Sequence, residues 1–166
     1  MTPMPPRDVD RFGAFVVYVG IGVLTLWAGS ALLDRALYSK FYRDYLVPWR
    51  AVLVKYESEG GRIPPFSGTD HSAYMERLEQ MMKERGMGVP RSNTEIPFIY
   101  RLRRPWSPNE DVFLLWYEHS LVLYGISRKT FERLDRDIDG RVDARRGRLT
   151  GRSTGVGRGY IARWTM

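Results

Sequence analysis

The chain contains no cysteine and only two histidines, His71 and His119, among its 166 residues. The lack of cysteine excludes disulfides, cysteine nucleophiles and thiolate metal sites. Neither histidine has a metal-ligand spacing such as HExxH, and Glu118, His119 and Ser120 are neighbours in sequence that do not converge as a catalytic triad would. No glycine-rich loop separates a strand from a helix, as nucleotide binding requires. We therefore expect neither an enzyme nor a cofactor.

Charge is also absent from a long stretch near the N-terminus. Residues 12–33 are uncharged and mostly apolar, and they follow a short tail at 1–11. About 20 such residues, rising roughly 1.5 Å each in a helix, match the ~30 Å hydrocarbon core of a bilayer. The alternatives are a cleaved signal peptide, with small residues at 28–30, and a buried core helix. Because the stretch is longer than a normal signal core, the sequence predicts a single-pass membrane anchor over 12–33.

Small residues recur on one side of this predicted anchor. Gly22, Thr25 and Gly29 lie at i, i+3 and i+7, which places them on one narrow face of a helix. Small residues let helix backbones approach closely in lipid, where packing rather than water exclusion drives association. The pattern indicates a face for contact with other membrane-anchored helices, which are the expected partners together with the membrane itself.

An amphipathic stem is predicted to continue from the anchor over residues 34–61. Leu37, Phe41 and Tyr45 repeat at four-residue spacing, and charged residues occupy the other faces. We expect this stripe to bundle with partner helices alongside the small-residue face. Pro48 is predicted to kink or interrupt the stem, because proline lacks an amide donor and clashes with the preceding turn.

Residues 62–166 form a predicted α+β head domain. Capping residues (Thr69 or Asp70, then Ser127), glycine stops and a change from helical to alternating periodicity define its elements. The predicted elements are helices over 70–85 and from Ser127 to Gly140, and strands over 96–103, 112–117, 121–124 and 160–164. Two adjacent apolar strands, 112–117 and 121–124, indicate a tight hairpin in the centre of the sheet. Together these features predict an antiparallel sheet of about four strands, with two helices besides the stem.

The sharpest local motif is an acidic turn that resembles half of a helix–loop calcium site. Its carboxylates occupy the first, third, fifth and ninth positions of such a loop: Asp135, Asp137, Asp139 and Asp143. The twelfth position, where a bidentate glutamate should close the shell, is Arg146. Since arginine removes two oxygen ligands and adds a repelling charge, we interpret this motif as a polar helix end and expect no tight metal site.

Positive charge is concentrated near the C-terminus. The net charge is +7, and seven arginines lie between Arg141 and Arg163 against one acid, Asp143. Such a segment can bind nucleic acid, anionic lipid or an acidic partner, or can simply be a solvated surface. Glycines in this Arg/Gly-rich segment, 141–159, favour mobility, so we favour the solvated surface and do not expect a nucleic-acid partner.

The layout of anchor, amphipathic stem and small head with an antiparallel sheet resembles the type IV pilin and type II secretion pseudopilin family. Members of that family have a leader cut after a glycine, and Gly13 is the matching candidate for leader cleavage here. Ala14 follows it where the family has an aromatic residue, and Tyr18 occupies the place of the family glutamate. The resemblance implies a bacterial inner-membrane protein with a periplasmic head, which acts by helix–helix assembly.

Three functional hypotheses follow from the sequence. The first is a structural or assembly subunit similar to a pseudopilin, acting through its anchor, its stem and the surface of its head. The second is a membrane-tethered binding module whose Arg-rich segment holds nucleic acid or anionic lipid. The third is an accessory subunit of a larger membrane enzyme complex, without an active site of its own.

Overall fold

The computed structural model describes the backbone of residues 6–66, 68–155 and 159–165, and the side chains of those ranges from residue 11 onward. The helices are α1 (Pro6–Lys40), a π-helical turn (Phe41–Leu46), α2 (Val47–Ser58), α3 (His71–Glu84) and α4 (Arg128–Asp139). The strands are β1 (Ile99–Leu102), β2 (Glu110–Tyr117), β3 (Ser120–Ser127), β4 (Leu149–Ser153) and β5 (Gly159–Thr165). All pairings are antiparallel, in the order β1-β2-β3-β5-β4. The predicted α+β class is confirmed, with five strands instead of about four.

One helix runs without a break from the anchor into the head. The sequence predicts a kink or an interruption at Pro48. The interruption is wrong, because α1, the π-helical turn and α2 follow one another directly; the irregularity near Pro48 is the π-helical turn just before it. The Val47 N–H donates to the Tyr42 carbonyl, five residues back, and Pro48 then falls in the first turn of α2. Proline has no N–H to donate, and the π-helical turn directly before it shifts the hydrogen-bond register of the helix at this point. At the other end the helix begins at Pro6, inside the predicted tail, of which residues 1–5 lie outside the described part.

The predicted anchor stands clear of the head. The long helix is the one element in the described residues with the length and composition to cross a membrane, and its most apolar window is 0% buried within the protein. Large side chains such as Tyr18, Leu26 and Trp27 are 68–75% exposed there. A core helix of a soluble protein would be covered by other elements, so exposure argues against that alternative; a membrane span and a signal sequence both fit a long apolar helix near the N-terminus.

The stem half of the helix packs on the sheet of its own chain. Phe41, Tyr45 and Trp49 are at most 2% exposed. The ring centroids of Phe41 and Tyr45 lie 5.0 and 4.8 Å from that of Tyr100 on β1, and Trp49 meets Phe98 edge-on at 6.0 Å. These spacings are typical of favourable aromatic pairs. The stem is therefore part of the head core.

The hairpin and the helix caps follow the sequence closely. β2 and β3 are joined at Glu118–His119, which have φ of 45° and 56° as a two-residue hairpin turn requires. The Asp70 carboxylate caps α3 by accepting from the Ala73 N–H at 2.9 Å, and the Ser127 hydroxyl caps α4 by accepting from the Thr130 N–H. Most residues of β2 and β3 are buried, as predicted for strands in the centre of the sheet.

Strand β4 was not predicted, because it lies in the Arg/Gly-rich segment where mobility was expected. Residues 149–153 contain a single large apolar side chain, Leu149, which is fully buried. β4 is an edge strand that pairs with β5. The Phe131 ring of α4 packs directly on Gly151 of this strand, and a Cβ atom there would come within 2.5 Å of the ring. Residues 156–158 of the same segment lie outside the described part.

Candidate functional site

A buried charge network joins the anchor to the head where the helix leaves the predicted span. Asp34, the first residue after the span, has a side chain that is 12% exposed. Its carboxylate accepts from Arg104 Nη1 at 2.7 Å, from Arg133 Nη2 at 2.7 Å and from Lys129 Nζ at 3.2 Å. Because Arg104 follows β1 and the other two cations lie on α4, this single carboxylate ties the long helix to two parts of the head.

The same network continues inward through the guanidinium of Arg104, which is 4% exposed. Arg104 Nε donates to Glu110 Oε1 at 2.7 Å, and its Nη2 contacts the Thr130 hydroxyl. Glu110 Oε2 also accepts from the Thr130 hydroxyl at 2.6 Å and from the Ser127 N–H at 2.9 Å. Arg104 thus bridges the carboxylates of Asp34 and Glu110, which lie on different elements. Each carboxylate also accepts hydrogen bonds from other groups. A buried network whose members are satisfied favours one arrangement of its side chains.

The loop between β1 and β2 returns alongside the predicted span. Pro105 and Trp106 form one wall of an apolar groove of about 470 Å³, and Thr25, Gly29 and neighbouring anchor residues form the other. Trp106 is 86% exposed and has a φ of 61°, a left-handed backbone that non-glycine residues rarely adopt. Tryptophan is enriched at membrane–water interfaces, so the type of this exposed side chain fits a position beside a membrane span.

The predicted association residues separate into two groups in the structure. Gly22, Thr25 and Gly29 lie on the exposed part of the helix, and no side chain lies within 4 Å of a Cβ built at either glycine. Phe41 and Tyr45, in contrast, are buried in the chain's own core, so their side chains are not available to a partner helix. Their neighbour in the stripe is Leu37, which is partly buried against the same core. The candidate leader glycine, Gly13, lies within α1.

The acidic turn is organised by backbone amides. Asp135 Oδ2 accepts from the Asp143 N–H at 2.6 Å, and Asp139 accepts from the N–H groups of Arg148 and Leu149 at 3.0 and 2.8 Å. Burial raises the pKa of Asp135. Burial also opposes ionisation of Asp139, but the two amides and Arg148 outweigh it and lower its pKa. These carboxylates fasten the end of α4 to β4, where Gly140 provides the left-handed stop (φ 76°).

Asp137 faces away from that turn. Its Oδ2 accepts from the Tyr38 hydroxyl of the anchor helix at 2.7 Å. No group of three or more potential metal-ligating side chains converges in the described part of the chain.

We predict that the protein binds calcium with a dissociation constant weaker than about 10⁻⁵ M. Arg146 replaces the closing glutamate, and the amide contacts compete for the oxygens that calcium would need. Calcium titration of the full chain in detergent, followed by calorimetry, measures this affinity. Micromolar binding that is abolished by Asp137→Ala would contradict the prediction.

The two histidines lie in different surroundings. His71 begins α3 and packs against aromatic rings, with centroid distances of 5.2 Å to Phe66 and 5.9 Å to Tyr124. His119 lies in the hairpin turn, where its Nδ1 is 3.1 Å from the Glu57 carboxylate. The structure does not bring these two side chains to a common site with the acidic turn.

Sequence reasoning missed Arg104, Glu110 and Trp106, which the structure brings to the junction. The run Arg103-Arg104-Pro105-Trp106 carried a usable signal, because basic residues next to an aromatic are typical of a membrane interface. The ion pairs carried none, since 70 residues separate Asp34 from Arg104.

No protein-family profile, curated protein or solved structure matches this chain.

Proposed function

We propose that this protein is a membrane-anchored, non-catalytic assembly subunit that resembles a pseudopilin in architecture. The anchor would associate with other membrane helices in an envelope complex of the secretion or pilus type, and the head would present a surface in an orientation fixed by the stem. The observation that carries this proposal is the unbroken helix from Pro6 to Ser58, which is exposed over the predicted span and buried in its own head along the stem.

Rigid coupling supports an assembly role over a tether role. A tethered binding domain needs only a linker, whereas here the helix enters the core and Asp34 is held by three cations. Such a connection transmits the rotation and height of the anchor to the head. A subunit that must present its head in register with its neighbours requires this property.

The exposed small-residue face provides the proposed contact. Thr25 and Gly29 line the 470 Å³ groove whose other wall is Pro105 and Trp106. A partner helix lying on this face would therefore contact both the anchor and the head. Close backbone approach at the glycines supplies van der Waals packing, which is the main attraction between helices in lipid.

Replacing Gly22 or Gly29 by leucine is expected to reduce the amount of co-purified partner about fivefold or more, because the added side chains hold neighbouring backbones apart. The measurement is cross-linking in cells, purification in mild detergent and quantification of the partner by mass spectrometry. Gly20→Leu is the matched control, since Gly20 lies on the opposite face of the helix and its Cβ position is equally open. Equal recovery with all three variants would contradict the proposed face.

We further propose that the N-terminus is cytoplasmic and the head extracytoplasmic, as the family resemblance implies. The charge near the span opposes this orientation, because basic residues usually lie on the cytoplasmic side and more of them follow the span than precede it. Only Arg7 and Arg11 precede it. The basic residues that follow it are Arg35, Lys40, Arg43 and Arg50. A long folded domain, however, translocates largely regardless of charge.

Cysteine labelling tests this orientation directly, because the chain has no cysteine of its own. Gly88→Cys places a thiol at an open position of the head, and Arg11→Cys places one before the span. We expect a membrane-impermeant maleimide added to intact spheroplasts to label the first variant and not the second. The reverse pattern would contradict the pseudopilin-like proposal and favour the membrane-tethered binding module on the cytoplasmic side.

A further inference from the structure

A basic groove of about 490 Å³ opens between α4 and the start of the stem, on the head side of the predicted span. The long helix that contains the anchor and the stem is called the anchor helix below. Arg35 and Arg43 line it from the anchor helix, eight residues apart and so on nearly the same face. Arg133 and Arg136 line it from α4, three residues apart. Two helix faces therefore contribute four arginines to the lining of one space. This groove is separate from the Arg/Gly-rich segment and from the apolar groove beside Trp106.

The positive charge of this groove is only partly neutralised by the protein, since Asp34 pairs with Arg133 and the Asp137 carboxylate is part of the lining. Arg35, Arg43 and Arg136 are exposed, and none of them forms a salt bridge within the described residues. The one carboxylate that lines the groove is Asp137, and its Oδ2 already accepts from the Tyr38 hydroxyl at 2.7 Å. The groove therefore attracts an anion and still has most of its donors unused.

Arg133 is held in place beside this groove and has one unsatisfied donor. Its Nη2 is held by Asp34 at 2.7 Å, and its guanidinium lies over the Tyr38 ring at 5.5 Å. Its Nη1 is buried and has no hydrogen-bond partner in the described part of the protein. A buried, unpaired donor on a fixed guanidinium is costly unless something accepts from it.

The groove lies at the depth of lipid headgroups. Ala31, inside the predicted span, forms part of its lining, and Arg35 is two residues beyond the span, about 3 Å along the helix. Side chains of an α-helix lean toward its N-terminus, which here is the membrane side, so the arginines of the anchor helix incline toward the bilayer. Tyrosine at this level is typical of the membrane interface, and Tyr38 contributes such a ring to the groove.

We propose that this groove binds the phosphate group of an anionic membrane phospholipid. Planar guanidinium groups match phosphate oxygens with paired hydrogen bonds, which lysine cannot reproduce. Basic pockets beside membrane helices bind phospholipid headgroups by the same chemistry. The position at the membrane surface selects a lipid as the source of the phosphate. This proposal does not depend on the assembly role of the anchor.

Native mass spectrometry of the full-length protein in detergent tests the proposal, with phosphatidylglycerol titrated against excess phosphatidylcholine. We expect Arg35→Gln/Arg136→Gln to weaken phosphatidylglycerol binding about tenfold, and Arg35→Lys/Arg136→Lys to weaken it about threefold. The charge-matched control is Arg145→Gln/Arg152→Gln, which removes two exposed arginines outside the groove. We expect this control to change binding less than twofold, and excess inorganic phosphate not to displace the lipid.

Other outcomes would overturn the proposal. An equal loss in the groove variant and the control would mean delocalised attraction to the whole basic surface. Unchanged binding in the groove variant, or lysine variants that bind as tightly as the unmodified protein, would rule out a guanidinium site. Displacement by inorganic phosphate would assign the groove to a soluble anion in place of a lipid.

Discussion

Replacing Arg104 by methionine is expected to lower the free energy of unfolding of the head by about 3–5 kcal/mol. Arg104 is 4% exposed and bridges Asp34 and Glu110, with both N–O distances at 2.7 Å. Methionine fills a similar volume but carries no charge. Glu110 would then remain buried with only neutral donors, and a buried charge without a cation is strongly destabilising. Chemical unfolding of the full chain in mild detergent, followed by near-UV circular dichroism, measures the change.

Arg101→Met is the matched control for this prediction. Arg101 makes an equally close, two-bond contact with Asp111 at 2.7 and 2.8 Å, but both side chains are more than 40% exposed. Solvent screens exposed pairs, so little change in stability is expected. A similar effect of both substitutions would show that burial does not set the strength of the network.

Removing both charged partners together provides a second check. The double variant Arg104→Met/Glu110→Met leaves no unpaired charge at that contact, and we expect it to recover part of the stability lost in Arg104→Met. A double-mutant cycle then gives the coupling between the two side chains. A purely additive result would mean that the two residues act independently.

Replacing Phe41 by alanine is expected to cost about 3–5 kcal/mol of head stability, because it opens a cavity in the core. Phe41 is fully buried, and its ring stacks near Tyr45 and packs against Tyr100. The sequence predicted Phe41 as a residue of the partner-contact stripe, so this substitution distinguishes a core role from an interface role. Unfolding of the full chain in detergent measures it.

Leu32→Ala serves as the matched control on the same helix. Leu32 is 70% exposed and lies in the predicted span, so truncation should change head stability by less than about 0.5 kcal/mol. If Phe41→Ala left the head stable but abolished partner recovery, the stem would be an association surface instead of a core helix.

Much of the fold could be predicted because the signals are local. The caps at Asp70 and Ser127 depend on side chains that reach amides three residues away, and both form as expected. The central hairpin follows from two apolar strands with a short polar connection, and it pairs at the expected place. The uncharged length of residues 12–33 identifies the candidate span without any tertiary information.

The errors have equally physical reasons. Pro48 is ordinarily a helix breaker, but the helix continues through it after a π-helical turn that changes the hydrogen-bond register. β4 has too little apolar character to be recognised, and it exists because β5 offers an edge and Phe131 covers Gly151. In both cases the surrounding structure overrides a local preference.

The sequence by itself determined that this chain has one long apolar helix, an amphipathic continuation and an α+β head, since periodicity and run length depend only on neighbouring residues. Only the tertiary structure decided what covers each face. The stripe that includes Phe41 and Tyr45 could equally have met a partner helix, and it meets its own sheet. The pairing of Asp34 with Arg104 and the arginine groove between the anchor helix and α4 join residues far apart in the chain. A periodic pattern shows that a face is buried or charged, but the partner of that face is set by how the whole chain folds.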